Sequence, residues 1–133
     1  AGHVLQVVST LHTAGASVAG AASNAFASFD TPFSKAITTS VLNSKILILC
    51  HMAVSSDAGG VMGKLYRGET PIAYPPDSEL ETNQQASTSL TYEIRVSTSA
   101  QYSSAIYLNR TSANSDVVYY PRPTSSFTLM EVA

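Results

Sequence analysis

Hydrophobic and polar positions alternate along this chain with a period of two. The clearest stretch is Leu90–Ser97, where Leu90, Tyr92, Ile94 and Val96 share one side and Thr91, Glu93, Arg95 and Ser97 the other. Successive side chains of an extended backbone point to opposite faces, so this spacing predicts an antiparallel strand with one face in a core. Gln101–Arg110 and Thr124–Val132 read as two further strands. The turn-forming run Thr111–Asp116 lies between them, so they pair or lie close. Val4–Thr10 offers another, with Val4, Gln6 and Val8 opposite Leu5 and Val7.

Ile46–Val54 departs from simple alternation. Ile46, Ile48, Cys50, Met52 and Val54 fall on one face, but Leu47, Leu49 and Ala53 make the other apolar as well. Such a strand needs cover on both sides: a core on one, and a second layer or a neighbouring subunit on the other. In a domain this small a subunit contact is the more economical cover, which makes Leu47, Leu49 and His51 candidate interface residues. Elsewhere the signals are weaker. Ala14–Ser28 is rich in small residues, and Gly15, Ser17, Gly20, Ser23 and Asn24 weaken a helix there, so the expectation is a loop. Edge strands are expected near Asn24–Phe29 and Phe33–Val41. Pro71, Pro75 and Pro76 mark an irregular middle, and Asp77–Ser87 a long polar surface loop.

A chain of 133 residues forms one domain, taken here as 1–133. Charged residues are only 12%, while Ser and Thr make up about a quarter of the chain, so uncharged hydroxyls cover much of the surface. With a net charge of −2 there is no electrostatic footprint for nucleic acid or an anionic membrane. No apolar run approaches the ~18 residues of a membrane span, and no signal-peptide layout opens the chain. A cytoplasmic origin, with later release inside a particle, is therefore the expectation. Cys50 is alone, which excludes an intrachain disulfide, and its apolar surroundings predict a buried, inert thiol.

Catalytic patterns are near misses. Gly59-Gly-Val-Met-Gly-Lys64 lacks the first glycine of a phosphate loop, with Ala58 in its place, and has Leu65 where a magnesium-binding hydroxyl belongs. It reads as a Gly-rich hairpin turn. Gly15-Ala-Ser17-Val-Ala19 has alanine at the second glycine of a nucleophile elbow and no strand–helix setting. His3, His12 and His51 have no metal-binding spacing and read as two surface residues and an interface residue. Asp77, Glu79 and Glu81 read as a solvated loop rather than a calcium site. Asn109-Arg-Thr111 is an acceptor sequon that matters only in a eukaryotic secretory route. The chain is therefore expected to be no enzyme, with no metal ligands and no cofactor.

The seven tyrosines are more suggestive. Tyr74, Tyr102, Tyr119 and Tyr120 fall near turns or strand ends, where an amphipathic ring stacks on a sugar or anchors a protein partner. Arg110 and Arg122 are near in sequence and supply directional donors. Tyr74, Tyr119, Tyr120, Arg110 and Arg122 are thus the candidate ligand-binding set. The competing account puts Tyr92 and Tyr107 in the core and uses the loop tyrosines only to cover strand ends.

Five segments occur in order: Gly2-His-Val-Leu-Gln-Val-Val8, Ser44-Lys-Ile-Leu-Ile48, Leu65-Tyr-Arg-Gly68, Ala105-Ile-Tyr-Leu-Asn-Arg110 and Thr124-Ser-Ser-Phe-Thr-Leu-Met-Glu-Val-Ala133. Together they resemble a domain of tail-fibre and other virion structural proteins of bacteriophages, especially cyanophages. The resemblance is weakest through Ala14–Ser23 and Ile72–Ser87. It implies an all-β, antiparallel β-sandwich of jelly-roll type, similar to the heads of tumour necrosis factor and complement C1q, assembled as a homotrimer. It further implies a location on the virion, contact with other virion proteins, and one of two roles. One is a tail-fibre tip that binds a host surface glycan or protein. The other is a capsid decoration, cement or head-fibre protein that stabilises the shell.

Overall fold

A computed structural model describes residues 2–19, 25–57, 59–73, 86–98, 104–113 and 122–133. The described residues are all-β, with ten strands in three antiparallel sheets and no helix. The first sheet places β10 (Ser125–Val132) between β1 (Val4–His12) and β4 (Lys45–His51). In the second, β9 (Ile106–Leu108) lies between β2 (Ala16–Val18) and β5 (Val54–Ser56). The third runs β3 (Ser34–Thr38), β8 (Ser89–Thr98), β6 (Val61–Arg67), β7 (Thr70–Ala73).

Period two gives β10 its faces. Ser125, Phe127, Leu129 and Glu131 are buried in alternation with the partly exposed Ser126, Thr128, Met130 and Val132. On β8, Tyr92, Ile94 and Val96 are buried and Leu90 packs against them, as the alternation required, but the opposite face is covered too, with Glu93 and Ser97 buried. These residues join Phe127 and Leu129 of the first sheet, Ala16, Ile106 and Leu108 of the second, and Ile37, Phe29 and Phe33 in one core cluster. All three sheets therefore share a single core.

Several expectations are corrected. The Gln101–Arg110 strand is shorter: within its described part only Ile106–Leu108 is strand, pairing with β2 and β5 rather than with β10. In β1 the register shifts between Val4 and Gln6. One extra residue at Leu5 puts Val4 and Val7 on the outer face together, whereas plain alternation separates them. The expected edge strand over 24–29 is, in its described part, an isolated bridge from Ala27 to Val96, and the strand expected over 33–41 covers only Ser34–Thr38. The expected 14–28 loop contains β2. Ile46–Val54 breaks at Met52 and Ala53 into β4 and β5. Gly59 and Gly60 do turn the chain ahead of β6, but Gly63 and Lys64 are strand. An unanticipated hairpin joins β6 to β7 through Gly68 and Glu69, with Gly68 at a φ of +57° that favours glycine.

The second sheet continues the first. Chain flows from β1 into β2 and from β4 into β5, while the central position passes from β10 to β9. Asn109 and Ser125, both buried, close the seam. The Asn109 amide donates to the carbonyls of His12 (2.8 Å) and Ala14 (3.2 Å), and its backbone N–H to Ala53 (2.9 Å). Ser125 Oγ donates to Asn109 Oδ1 at 2.6 Å and accepts from Ala53 N at 2.9 Å. A left-handed backbone at Asn109, φ +55°, suits an asparagine at this crossover. With its amide committed inside the protein, Asn109 is no sugar acceptor.

At the opposite end of the first sheet, the turn from β3 to β4 is held by a buried carboxylate. Glu131 accepts from Gln6 Nε2 (2.6 Å), the Ser44 hydroxyl (2.7 Å), the Ser40 hydroxyl (2.8 Å), and the backbone N–H groups of Ser40 (2.8 Å) and Val41 (3.1 Å). Burial by itself pushes the Glu131 carboxyl up. The donors from Gln6, Ser44, Val41 and Ser40 more than reverse that and hold it at about 2.

Candidate functional site: an apolar face and a polar extension

Three strands of the first sheet turn one face away from the core. Cross-strand register sets its rows: Val4, Val132 and Lys45; Val7, Met130 and Leu47; Ser9, Thr128 and Leu49; Leu11, Ser126 and His51. Leu47 and Leu49 are half exposed, Val7 is 53% exposed and Leu11 64%. Ser9 and Thr128 hydroxyls bond each other at 2.8 Å, which lowers the polarity of the middle row. The pinned turn ahead of β4 adds Val41 and Leu42. Of the nine large hydrophobic side chains exposed among the described residues, seven therefore belong to β1, β4 and that turn. The exposed apolar residues are therefore gathered on one part of the surface and not scattered singly. β4 is also an edge strand whose only charged residue is Lys45, and an unguarded apolar edge invites pairing with another chain.

The predicted interface residues Leu47, Leu49 and His51 thus share one outer face. Cys50 does not behave as expected. It opposes Phe127 and so points to the core side, yet it is exposed, because β4 has no neighbour on its outer edge among the described residues. His12 also differs from the surface residue expected. Its ring meets Phe33 edge-on with centroids 4.8 Å apart, and its Nε2 is buried without a partner.

Beyond the seam the outer face becomes polar. Register aligns Ser17, Tyr107 and Ser55 across the second sheet. Tyr107, flanked by the buried Ile106 and Leu108, faces outward and is not core. Its hydroxyl donates to Asp57 Oδ2 at 3.0 Å, and the Arg110 guanidinium stacks 4.6 Å from its ring centre. Asp30 stands beside them, accepting from Ser17 N (3.0 Å), Ser17 Oγ (3.1 Å) and Thr31 N (2.8 Å). The Ser17 backbone donor chiefly, with Thr31, the Ser17 hydroxyl and the Arg110 charge, holds the Asp30 carboxyl below its usual range. Ser17 thus lies on a strand and orients a carboxylate, which is not the setting of a nucleophile.

Among the predicted receptor-binding residues, Arg110 lies in this polar group and Arg122 is exposed ahead of β10. Tyr74, Tyr119 and Tyr120 fall outside the described residues, as do Tyr102, Asp77, Glu79 and Glu81. The sequence reading missed Tyr107, Asp57 and Asp30. A three-residue strand carries too little period to reveal which way Tyr107 points, and the contact of Asp30 with Ser17 depends on the fold. On the third sheet, Arg95 is already committed: it forks onto Glu69 at 2.9 Å, bonds Glu93 at 3.1 Å and stacks over Tyr66. No group of three or more His, Cys, Asp or Glu among the described residues is placed to hold a metal ion. No family model, curated protein or solved structure matches the chain.

Proposed function

We propose that this domain is a non-enzymatic structural module of a bacteriophage virion, a jelly-roll-like β-sandwich that assembles as a homotrimer and serves at the tip of a tail fibre. The observation that carries the reading is the apolar outer face of β1, β10 and β4. A face of this kind is covered in the working protein, and three-fold closure covers it without leaving a free patch for open-ended growth. The sandwich is supported by the single core drawn from all three sheets. Described strand residues from each of the five segments that resemble virion proteins lie in β1, β4, β6, β9 and β10.

The function is adhesion to a host surface glycan or protein by the parts of the trimer left exposed. Three copies on one fibre turn a weak single contact into firm attachment. The test joins mass by light scattering to adsorption of the purified protein on susceptible cells. A trimer that adsorbs, and that Leu49→Asp converts to monomer or unfolded chain, fits the proposal, since assembly would bury a carboxylate from each subunit without a partner. A monomer at micromolar concentration overturns the assembly. Absent adsorption together with tight binding to empty capsids transfers the role to shell decoration.

A further inference from the structure

We propose that the outer face of the β2–β9–β5 sheet is a saccharide-binding site, built by Tyr107, Arg110, Asp57 and Asp30 and selective for neutral sugars with adjacent hydroxyls. This rests on the adhesion reading above and names the chemistry of its ligand.

Arg110 is held in place by its surroundings. Its stem lies against Gly15, where a Cβ would stand 2.7 Å from Arg110 Cδ, so glycine there leaves the side chain its path. Its backbone carbonyl accepts the Ser55 hydroxyl at 2.8 Å. The guanidinium is thereby laid over the Tyr107 ring, a cation–π arrangement that fixes its plane. Yet its donors are little used. One reaches the Thr111 carbonyl at 3.3 Å, and among the described residues no carboxylate pairs with it. Arg95 on the third sheet shows the contrast, since its donors are taken by Glu69 and Glu93. A guanidinium positioned by packing, with N–H groups that no described residue takes up, is prepared for a ligand's acceptors.

The neighbours define that ligand. Asp57 is aligned by the Tyr107 hydroxyl, and Asp30 by two backbone N–H groups and a hydroxyl. A carboxylate offers about four acceptor positions, so both keep capacity for incoming donors. The site therefore presents fixed donors flanked by fixed acceptors beside an aromatic ring. A simple anion would bond Arg110 but face two carboxylates, and a simple cation would face the reverse conflict. A sugar hydroxyl donates and accepts at once, so adjacent hydroxyls can span Arg110 and either aspartate. Because the protein groups are already held, little side-chain freedom is lost on binding.

The experiment is amide chemical-shift perturbation on the intact, isotope-labelled protein, titrated with lactose, maltotriose and methyl α-mannoside, with sialyllactose as the anionic comparison. The expected result is saturable shifts at Ser17, Ser55 and Tyr107 with at least one neutral sugar, weaker with sialyllactose. Arg110→Lys keeps charge and stem but loses the fork, and should weaken that binding about tenfold or more, as should Asp57→Asn. Thermal melts confirm that each variant is folded. If none of the neutral sugars shifts these amides at tens of millimolar, or if Arg110→Lys and Asp57→Asn bind like the parent, the proposal is overturned. Cell adsorption separates this outcome from the broader one. Adsorption that survives Arg110→Lys sinks the site and leaves the adhesion reading standing. Sugar-induced shifts in a protein that does not adsorb leave the site and sink that reading.

Discussion

Replacing Glu131 with alanine removes the acceptor on which five donors converge: the Gln6 amide, the Ser40 and Ser44 hydroxyls, and the backbone N–H groups of Ser40 and Val41. Removing this acceptor costs ~3–5 kcal/mol in all, because each neutral donor left desolvated costs ~1–3 kcal/mol. Ser40 and Val41 are exposed enough for water to replace the lost oxygen, while Ser44 is not. The expected loss therefore falls at the lower end, ~3 kcal/mol, or ~10 °C in Tm for a domain of this size. Glu131→Gln should cost less, ~2 kcal/mol. Its NH2 can occupy the site facing the Ser40 hydroxyl, which rotates to accept, while its oxygen still serves the two backbone donors. Gln6 is then compromised, since its amide also donates to the Thr38 carbonyl at 2.6 Å. Acid should act in the same direction. The folded carboxyl sits at about 2 against an ordinary 4.5, so the stabilisation is complete above pH 4.5 and lost as pH falls toward 2. Urea unfolding across that interval should show a steeper loss in the parent than in Glu131→Gln. A penalty for Glu131→Ala below ~0.5 kcal/mol, the range of ordinary surface changes, would refute the reasoning.

Two further outcomes are expected. Desolvation, with added repulsion from Lys35, lowers the His12 pKa below its ordinary 6.5 although a bond from the ring to the Ser34 backbone opposes it. The unfolded chain then takes up the proton first, so stability falls as pH drops through 6.5, and urea midpoints on either side of that pH should show a slope that His12→Gln removes. Asn109→Ala gives up the seam bonds and places a Cβ residue without a local hydrogen bond at φ +55°, which should cost ~3 kcal/mol. Asn109→Gly, relieved of that backbone strain, should melt above the alanine variant.

Long strands and the apolar face of each were legible in the sequence, although on β8 Glu93 and Ser97 of the other face are buried too. Leu90–Ser97 and Thr124–Val132 each keep period two over several residues, and the doubly apolar character of Ile46–Val54 pointed to Leu47 and Leu49 as residues in need of cover. Glu131 could have been found by the same count, because it falls in step with Phe127 and Leu129 on the core side. What escaped was set by geometry that pattern does not encode. The extra residue at Leu5 reverses one residue of β1 against the rest. Exposure of Cys50 follows from β4 lying at an edge, and its sequence neighbours do not report that. Sheets of three-residue strands hide their faces, so the side on which Tyr107 lies stayed open.

The seam at Asn109 and Ser125 also divides the chemistry of one continuous outer surface. On the β1–β10–β4 side the rows are mostly apolar, with paired hydroxyls in the middle, Lys45 at the far end, and Ser126 and His51 beside Leu11 next to the seam. On the β2–β9–β5 side the outward groups are the partly exposed Ser17, Tyr107, Ser55 and Arg110 and two exposed aspartates. Self-association draws on area and shape, which the apolar half supplies. Ligand recognition draws on directional groups held in place, which the polar half supplies. Because the second sheet extends the strands of the first, an assembly that covered the apolar rows would leave the polar rows at its margin, one set for each copy. That arrangement gives a physical reason for both features to occur on the same side of a small domain. Copies joined through the first sheet would present several weak sites together, and attachment would then depend on the integrity of the apolar face as much as on any residue touching the ligand.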